Sequence, residues 1–287
     1  MTAPAVNPAV DPAVNPALDR LPSIDVSSTQ QVPFGRLVSV ELRKMTDTRA
    51  GRWLLAITLG VLIVAAGIVV IISLFDEQFS MTLSDWQSML TFLTTLLLPT
   101  LAIMSVTQEW SQRTGLVTFA LEPHRLRVIL AKLAAVTLLA LITLALAAVI
   151  GVAGHALLAA TGVDISWTAD GKDLAWTLYL QMVYFLMAFG LAMAILNTPG
   201  SIVAYYVVAL ILPNIVYGAV YFLLSWGPDV VPWVDLGFAV AAFRGELPPV
   251  PSGTPDLGVG PVLSTLTIWV VLPMAIGLRR ILRTELK

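Results

Sequence analysis

The chain has 287 residues, of which 57% are hydrophobic and only 12% charged, a balance too apolar for an ordinary soluble domain. It contains no cysteine, which excludes disulfides, thiolate metal sites and cysteine nucleophiles. The net charge of −2 hides a separation of acids from bases along the chain, a pattern that speaks of topology and gives no sign of nucleic-acid binding.

Residues 1–32 open with a four-residue repeat, PAVNPAVDPAVNPALD, that places Pro4, Pro8, Pro12 and Pro16 in register. Proline at that spacing denies a helix its backbone donors, and the segment has too little apolar bulk for a core. A disordered cytoplasmic tail is expected, either a low-complexity extension or a partner-binding arm. It does not read as a signal peptide, because no apolar core begins before Trp53. In residues 34–50, FGRLVSVELRKMTDTRA, helical spacing gathers Phe34, Leu37, Val38, Leu42 and Met45 on one face and Arg36, Arg43 and Asp47 opposite. Such a basic amphipathic helix should lie in the membrane interface. Glu41 is the misfit on its apolar face, and either pairs with a base elsewhere or snorkels to water.

Six uncharged apolar stretches follow, at roughly 53–75, 88–107, 133–161, 174–196, 202–224 and 261–278. Each has about 18 residues or more, enough for a helix to cross a hydrocarbon core of roughly 30 Å. When the connecting segments are assigned to alternate sides, one side receives six bases before the first stretch, four between the second and third, and four after the sixth. Only Lys172 and Arg244 fall on the other side. The positive-inside bias makes both termini cytoplasmic. Trp53 and Trp110 fall at inner boundaries, and Trp86, Trp167, Trp176, Trp226 and Trp233 at outer ones, as in an aromatic belt. Asn197 to Ser201 form a tight inner turn between the fourth and fifth spans. In the last outer segment, WGPDVVPWVDLGFAVAAF is too apolar for a free loop and too broken by proline to cross, so re-entrant half-helices are expected. The fold class is an all-α polytopic membrane protein: a tail over 1–32 and a transmembrane domain over 33–287.

Much enzymatic machinery is absent. No phosphate-binding loop motif occurs, and no Asp, Glu, Lys or Arg lies inside any of the six stretches. Ion-coupled transporters place such groups at membrane depth, so the energy for transport should enter from outside the bilayer. His155 is either a proton relay or an interfacial histidine bonded to nearby backbone. Small residues at helical spacing, Ala56, Gly60 and Gly67 in the first span and Ala140, Thr143, Ala147, Gly151 and Gly154 in the third, read as packing seams, some of them between subunits.

Three polar stripes stand out: Thr91, Thr94, Thr95 and Pro99 in the second span; Thr177, Gln181 and Tyr184 in the fourth; Tyr206, Leu210, Pro213, Asn214, Tyr217 and Tyr221 in the fifth. They read as walls of a translocation path or as interhelical hydrogen bonding. The candidate path residues are Thr94, Pro99, Tyr206, Asn214, Tyr217 and Tyr221, around a cavity between the second and fifth spans with hydroxyl and aromatic groups and no fixed charge. Amphiphilic or lipid-like molecules would suit it better than ions or sugars.

The inner segment EWSQRTGLVTFALEPHRLRVILAK, 109–132, is charged at both ends around an apolar middle and restarts at Pro123, a residue suited to the first turn of a helix. It looks made to dock on another protein. Glu109, Gly115, Glu122-Pro123, Arg125 and Lys132, at these spacings between the second and third of six spans, resemble the intracellular loop of type-2 ABC exporter permeases. ELRKMTDTRAGRW is similar to the elbow helix of many bacterial members, and the broken outer segment to their re-entrant helices. The resemblance covers residues 34–287; His124 stands where a small polar residue is more usual, and the tail is extra.

The resemblance implies a permease subunit of an ABC exporter in a bacterial cytoplasmic membrane. It implies two ATPase subunits and a second permease chain, identical or related, as partners besides the lipid bilayer. ATP and Mg would bind those ATPases, with no cofactor, metal or catalytic residue in this chain. The ATPase-coupling residues would be Glu109, Arg113, Gly115, Phe119, Glu122, Pro123 and Arg125. An ATP-independent secondary transporter or channel is the alternative, and a membrane enzyme would need a catalytic pair that does not converge here.

Overall fold

Backbone groups in lipid must be satisfied within the chain, and apolar runs of this length do so as helices. The computed structural model describes residues 32–76, 79, 81–111, 124–160, 162, 166–168, 170–251 and 253–283. Among these residues no strand occurs. The elements are α1 (Phe34–Asp47), α2 (Arg49–Phe75), α3 (Leu83–Ser111), α4 (Arg125–Ala160), α5 (Gly171–Ile195), α6 (Thr198–Leu223), α7 (Leu236–Arg244) and α8 (Gly260–Arg283), with two short helical turns between α6 and α7. All except α1 and α7 are long and apolar enough to cross a membrane, which makes this a multi-pass membrane protein. The expected tail lies outside the described residues save for Val32.

Local sequence explains the helix ends. Thr82 and Asp85 form a capping box at the start of α3, Asp170 caps α5 through the Lys172 N–H, and Asn197 caps α6 through the Gly200 N–H. The turn between α5 and α6 is tighter than the expected five residues. Leu196 adopts a left-handed conformation (φ 55°), and Thr198 already begins the next helix. One non-helical residue, Thr48, separates α1 from α2, and its hydroxyl accepts from the Gly51 N–H. A side chain at Gly51 would stand 1.8 Å from the Met45 carbonyl, so only glycine fits this elbow.

α3 and α5 form the centre of the bundle. In α3 the most apolar stretch is 61% buried, whereas in α6 it is 6%, so α3 is enclosed by protein and α6 is peripheral. α2 is peripheral too. Its inward face carries Thr58, Leu62, Ala66 and Ser73, while Ala56, Gly60 and Gly67 point outward and a side chain at either glycine would meet nothing. The expected small-residue seam of the first span is therefore not used within the chain. The seam of the third span is used, with Trp86 packing so close on Gly154 that an added Cβ would lie 2.7 Å from the indole. This buries Trp86 completely, against the expectation of an interfacial ring. A close approach also joins α5 to α8, where a Cβ on Gly277 would sit 2.3 Å from that of Met193.

Between α6 and α8, Asp235 caps α7 by accepting from the Phe238 N–H, and Gly245 (φ 71°) ends it. Burial pushes the Asp235 carboxyl above its ordinary range, against the pull of the Phe238 and Gly237 backbone donors. The indole of Trp269 donates to the Val234 carbonyl and the hydroxyl of Ser264 to that of Trp233, which moors this segment on α8.

Candidate functional site

Two polar constellations stand out in this apolar bundle, one at its basic end and one between the helices nearer the opposite end. At the basic end, Glu41 of α1, Glu109 of α3 and Lys132 of α4 are all buried, and Lys44 joins them from the edge. Lys132 Nζ donates to Glu41 Oε2 at 2.5 Å, to Glu109 Oε1 at 3.0 Å and to the Ser105 carbonyl at 3.0 Å. These occupy all three donors of the ammonium. Lys44 Nζ donates to Glu41 Oε1 at 2.7 Å and Glu109 Oε1 at 3.1 Å. Burial works against the charge of Lys44, but Glu41 and Glu109 more than offset it and raise its pKa above the ordinary lysine value. Two acids and two bases thus fasten α1 to α3 and α4. The misfit Glu41 has its partners, Lys132 on α4 and Lys44 on its own helix.

Arginines make further ties at this end. Arg125 Nη1 donates to the Ile281 carbonyl at 2.8 Å, and Arg280 Nη1 to the Ala194 carbonyl at 2.7 Å, both near helix C-termini where a cation is favoured. Among the expected coupling residues, Glu109 therefore sits in the charge cluster and Arg125 is bound to α8. Arg113, Gly115, Phe119, Glu122 and Pro123 lie outside the described residues.

The second constellation is a cavity of about 330 Å³ bounded by α3, α5, α6 and α7. Its walls are mostly apolar, with Phe92, Leu96, Trp176, Leu180 and Leu210 among them. Thr91, Thr95, Gln181, Tyr184 and Tyr205 supply polar groups. The threonine stripe of the second span and the Gln181 stripe of the fourth thus converge, as walls of one space.

None of the six expected path residues lines it. The Thr94 hydroxyl donates back to the Thr91 carbonyl, and Pro99 is buried at the break in α3. Tyr206 is turned to the Leu96 carbonyl (2.6 Å), and its neighbour Tyr205 faces the cavity instead. Asn214 is exposed and its amide donates to the Leu210 carbonyl of its own helix at 2.8 Å. Tyr217 packs beside Tyr221 against the segment around α7, and the Tyr221 hydroxyl donates to the Pro248 carbonyl. Tyr217 and Tyr221 thus pack within the chain, away from this cavity. The reason lies in the helix: residues 207–217 are a π-helix around Pro213, whose wider turn rotates everything beyond it relative to a regular α-helix.

The expectation of no fixed charge also needs correction. Arg244, at the end of α7, lines the cavity and pairs with Asp173 and with Glu246 (2.7 Å). Burial opposes its charge, but the two carboxylates raise its pKa above the ordinary arginine value. His155 is fully buried, and its Nε2–H donates to the Ser166 carbonyl at 3.1 Å with the ring edge-on to Trp167. That is the backbone-bonded arrangement; Ser166 and Trp167 are its only polar and aromatic contacts among the described residues. No cluster of His, Asp or Glu among the described residues could hold a metal ion. Compared with known proteins, the chain matches no family model and no curated protein sequence.

Proposed function

We propose that this chain is the membrane permease subunit of an ATP-driven exporter of the type-2 ABC kind. It sits in a bacterial cytoplasmic membrane with both termini inside and moves hydrophobic or amphiphilic substrate outward by alternating access. ATP and Mg bind a separate ATPase, present in two copies beside two permease chains. In this reading α1 is the interfacial elbow helix, residues 112–123 carry the coupling loop, and the segment around α7 is re-entrant.

The observation that supports this best is the cluster of Glu41, Lys44, Glu109 and Lys132. It joins α1 to the two helices between which residues 112–123 run. A push on that segment from a docked ATPase would move α1, α3 and α4 as a unit, and α3 forms a wall of the cavity. The charged groups of the spans lie at their ends, which leaves no series of titratable groups at depth to couple transport to an ion. The outward faces of α2 and α6 are free to meet a second permease chain or lipid.

The test is to extract the chain from its host membrane in mild detergent and weigh the intact complex by mass spectrometry. Two permease and two ATPase chains with ATP turnover are expected. A chain that brings down no ATPase, yet alone drives flux along an ion gradient in proteoliposomes, is a secondary transporter, and the proposal fails.

A further inference from the structure

We propose that the cavity between α3, α5, α6 and α7 binds a small uncharged amphiphile through one hydroxyl group, and that the side-chain amide of Gln181 is its hydrogen-bonding partner. Calling this ligand the cargo rests on the exporter reading; the binding site itself does not.

Gln181 is the deciding residue. It lines the cavity wall, it is fully buried, and its Nε2 has no hydrogen-bond partner within the protein. Buried amides are normally paired, and one left open beside a cavity is a place for a ligand atom. The neighbouring geometry says which kind. Thr95 Oγ1 lies 2.5 Å from Gln181 Oε1 and 2.9 Å from the Thr91 carbonyl, but it has one proton for the two acceptors. If that proton goes to Gln181, the amide is left with unpaired N–H donors. If it goes to the Thr91 carbonyl, the amide turns to donate to Thr95 and its carbonyl is left open. A ligand hydroxyl donates and accepts, so it completes the amide in either arrangement. An alkane completes neither.

The rest of the cavity limits the ligand further. Phe92, Leu96, Leu180 and Leu210 offer an apolar tail its contacts. The volume of about 330 Å³ stands at the lower end of the range for small-ligand pockets, roughly 300–1,000 Å³, so the tail must be short. Charge is not welcomed. Arg244 is already held between Asp173 and Glu246, so an anion would compete with two carboxylates, and a cation would meet the guanidinium itself. An uncharged head is what remains.

The test uses the purified full chain in lipid nanodiscs and two photoactivatable probes, a diazirine-bearing octanol and the matching octane. Cross-links are mapped by mass spectrometry. The octanol probe should label the walls around Phe92, Trp176 and Leu180 at a concentration about tenfold or more below that needed by the octane, the effect of one neutral hydrogen bond. Unlabelled octanol should compete, and octanoate and octylamine should compete about tenfold less well. Gln181→Leu should remove the preference for octanol. Leu180→Trp, which keeps the amide and fills the space, should abolish labelling of the walls by either probe. Equal labelling by the octanol and octane probes of the wild-type chain overturns the proposal without recourse to any variant, and so does an unchanged preference in a folded Gln181→Leu chain. Selective labelling in a chain that brings down no ATPase keeps the site and removes the exporter. An ATPase complex whose cavity treats octanol and octane alike keeps the exporter and removes the site.

Discussion

The hydroxyl of Tyr205 donates to the carbonyl of Thr95 at 2.6 Å, and that carbonyl is the one Pro99 leaves without its helical donor. Tyr206 repeats the arrangement one residue along, on the carbonyl of Leu96. The proline break in α3 is thus closed by two side chains of α6, the most peripheral span. Pro99 is structural in the direct sense that its missing N–H is made good from another helix.

Tyr205→Phe should therefore strand a buried carbonyl and lower stability by about 1–3 kcal/mol. Pro99→Ala restores an N–H at position 99 and gives Thr95 an acceptor role within its own helix. In a Pro99→Ala background the same tyrosine change should cost markedly less. Thermal denaturation of the four chains in one detergent makes a double-mutant cycle, and strict additivity would show that Tyr205 and Pro99 are not coupled through that carbonyl.

Lys132→Met should be among the most damaging single changes outside the apolar core. It takes from the buried carboxylates of Glu41 and Glu109 the buried lysine they share, a loss of the order of 3–5 kcal/mol. Adding Glu41→Gln to Lys132→Met removes the surplus charge and should recover part of that loss. Expression level and melting temperature report both, and a double variant worse than the single would contradict the electrostatic account.

Lys44 sets an alkaline limit. Its folded pKa lies above the ordinary value of 10.5, so its contribution is complete below that value and is lost as pH rises through the raised one. The difference in melting temperature between the wild type and Lys44→Gln should stay level from neutral pH to about pH 10 and shrink above it. A difference that already fades between pH 7 and 9 would mean that another group titrates.

Gly277→Leu and Gly60→Leu should behave in opposite ways. The first forces a side chain into Met193 and should cost about 1–3 kcal/mol or more of stability. The second projects into open space and should leave the melting temperature of the monomer unchanged. If α2 meets a second chain, Gly60→Leu should weaken only the oligomer on native gels; an unaltered oligomer would turn that face toward lipid.

The six spans are legible because length and apolarity alone decide whether a helix can cross a bilayer; the structure lengthens them by about five residues or fewer at an end, except that the third begins at Arg125, well before the expected start at 133. What hydropathy does not carry is the sign of a face. In lipid an apolar residue is equally at home facing a tail or a neighbouring helix, so the stripe of Ala56, Gly60 and Gly67 looked as well suited to packing as that of Ala147, Gly151 and Gly154, and only the second packs within the chain. Thr91, Thr95 and Gln181 stand out in the sequence as polar groups at depth, and they meet on one cavity, but the expected cavity lay between the second and fifth spans with other residues on its walls. Tyr205 rather than the expected Tyr206 lines this cavity, a difference of one residue, about 100° on a helix. Asn214, Tyr217 and Tyr221 do not line this cavity, and no sequence signal short of Pro213 announces the π-helical turn that re-aims them.

The arginines at the basic end hold the bundle as well as mark it. Arg125 grips the end of α8, and Arg280 on α8 grips the end of α5. The third, fourth and sixth spans are thereby laced together by the same charges that, in the proposed orientation, keep this end in the cytoplasm. Moving a charge to reverse a membrane protein is a common way to probe its topology, and here it would have two consequences at once. At Arg125 or Arg280 a misinserted chain and a loosened bundle would look alike. Arg43 and Arg52, exposed on α1 and at the start of α2, are positions at which orientation can be varied without cutting these ties.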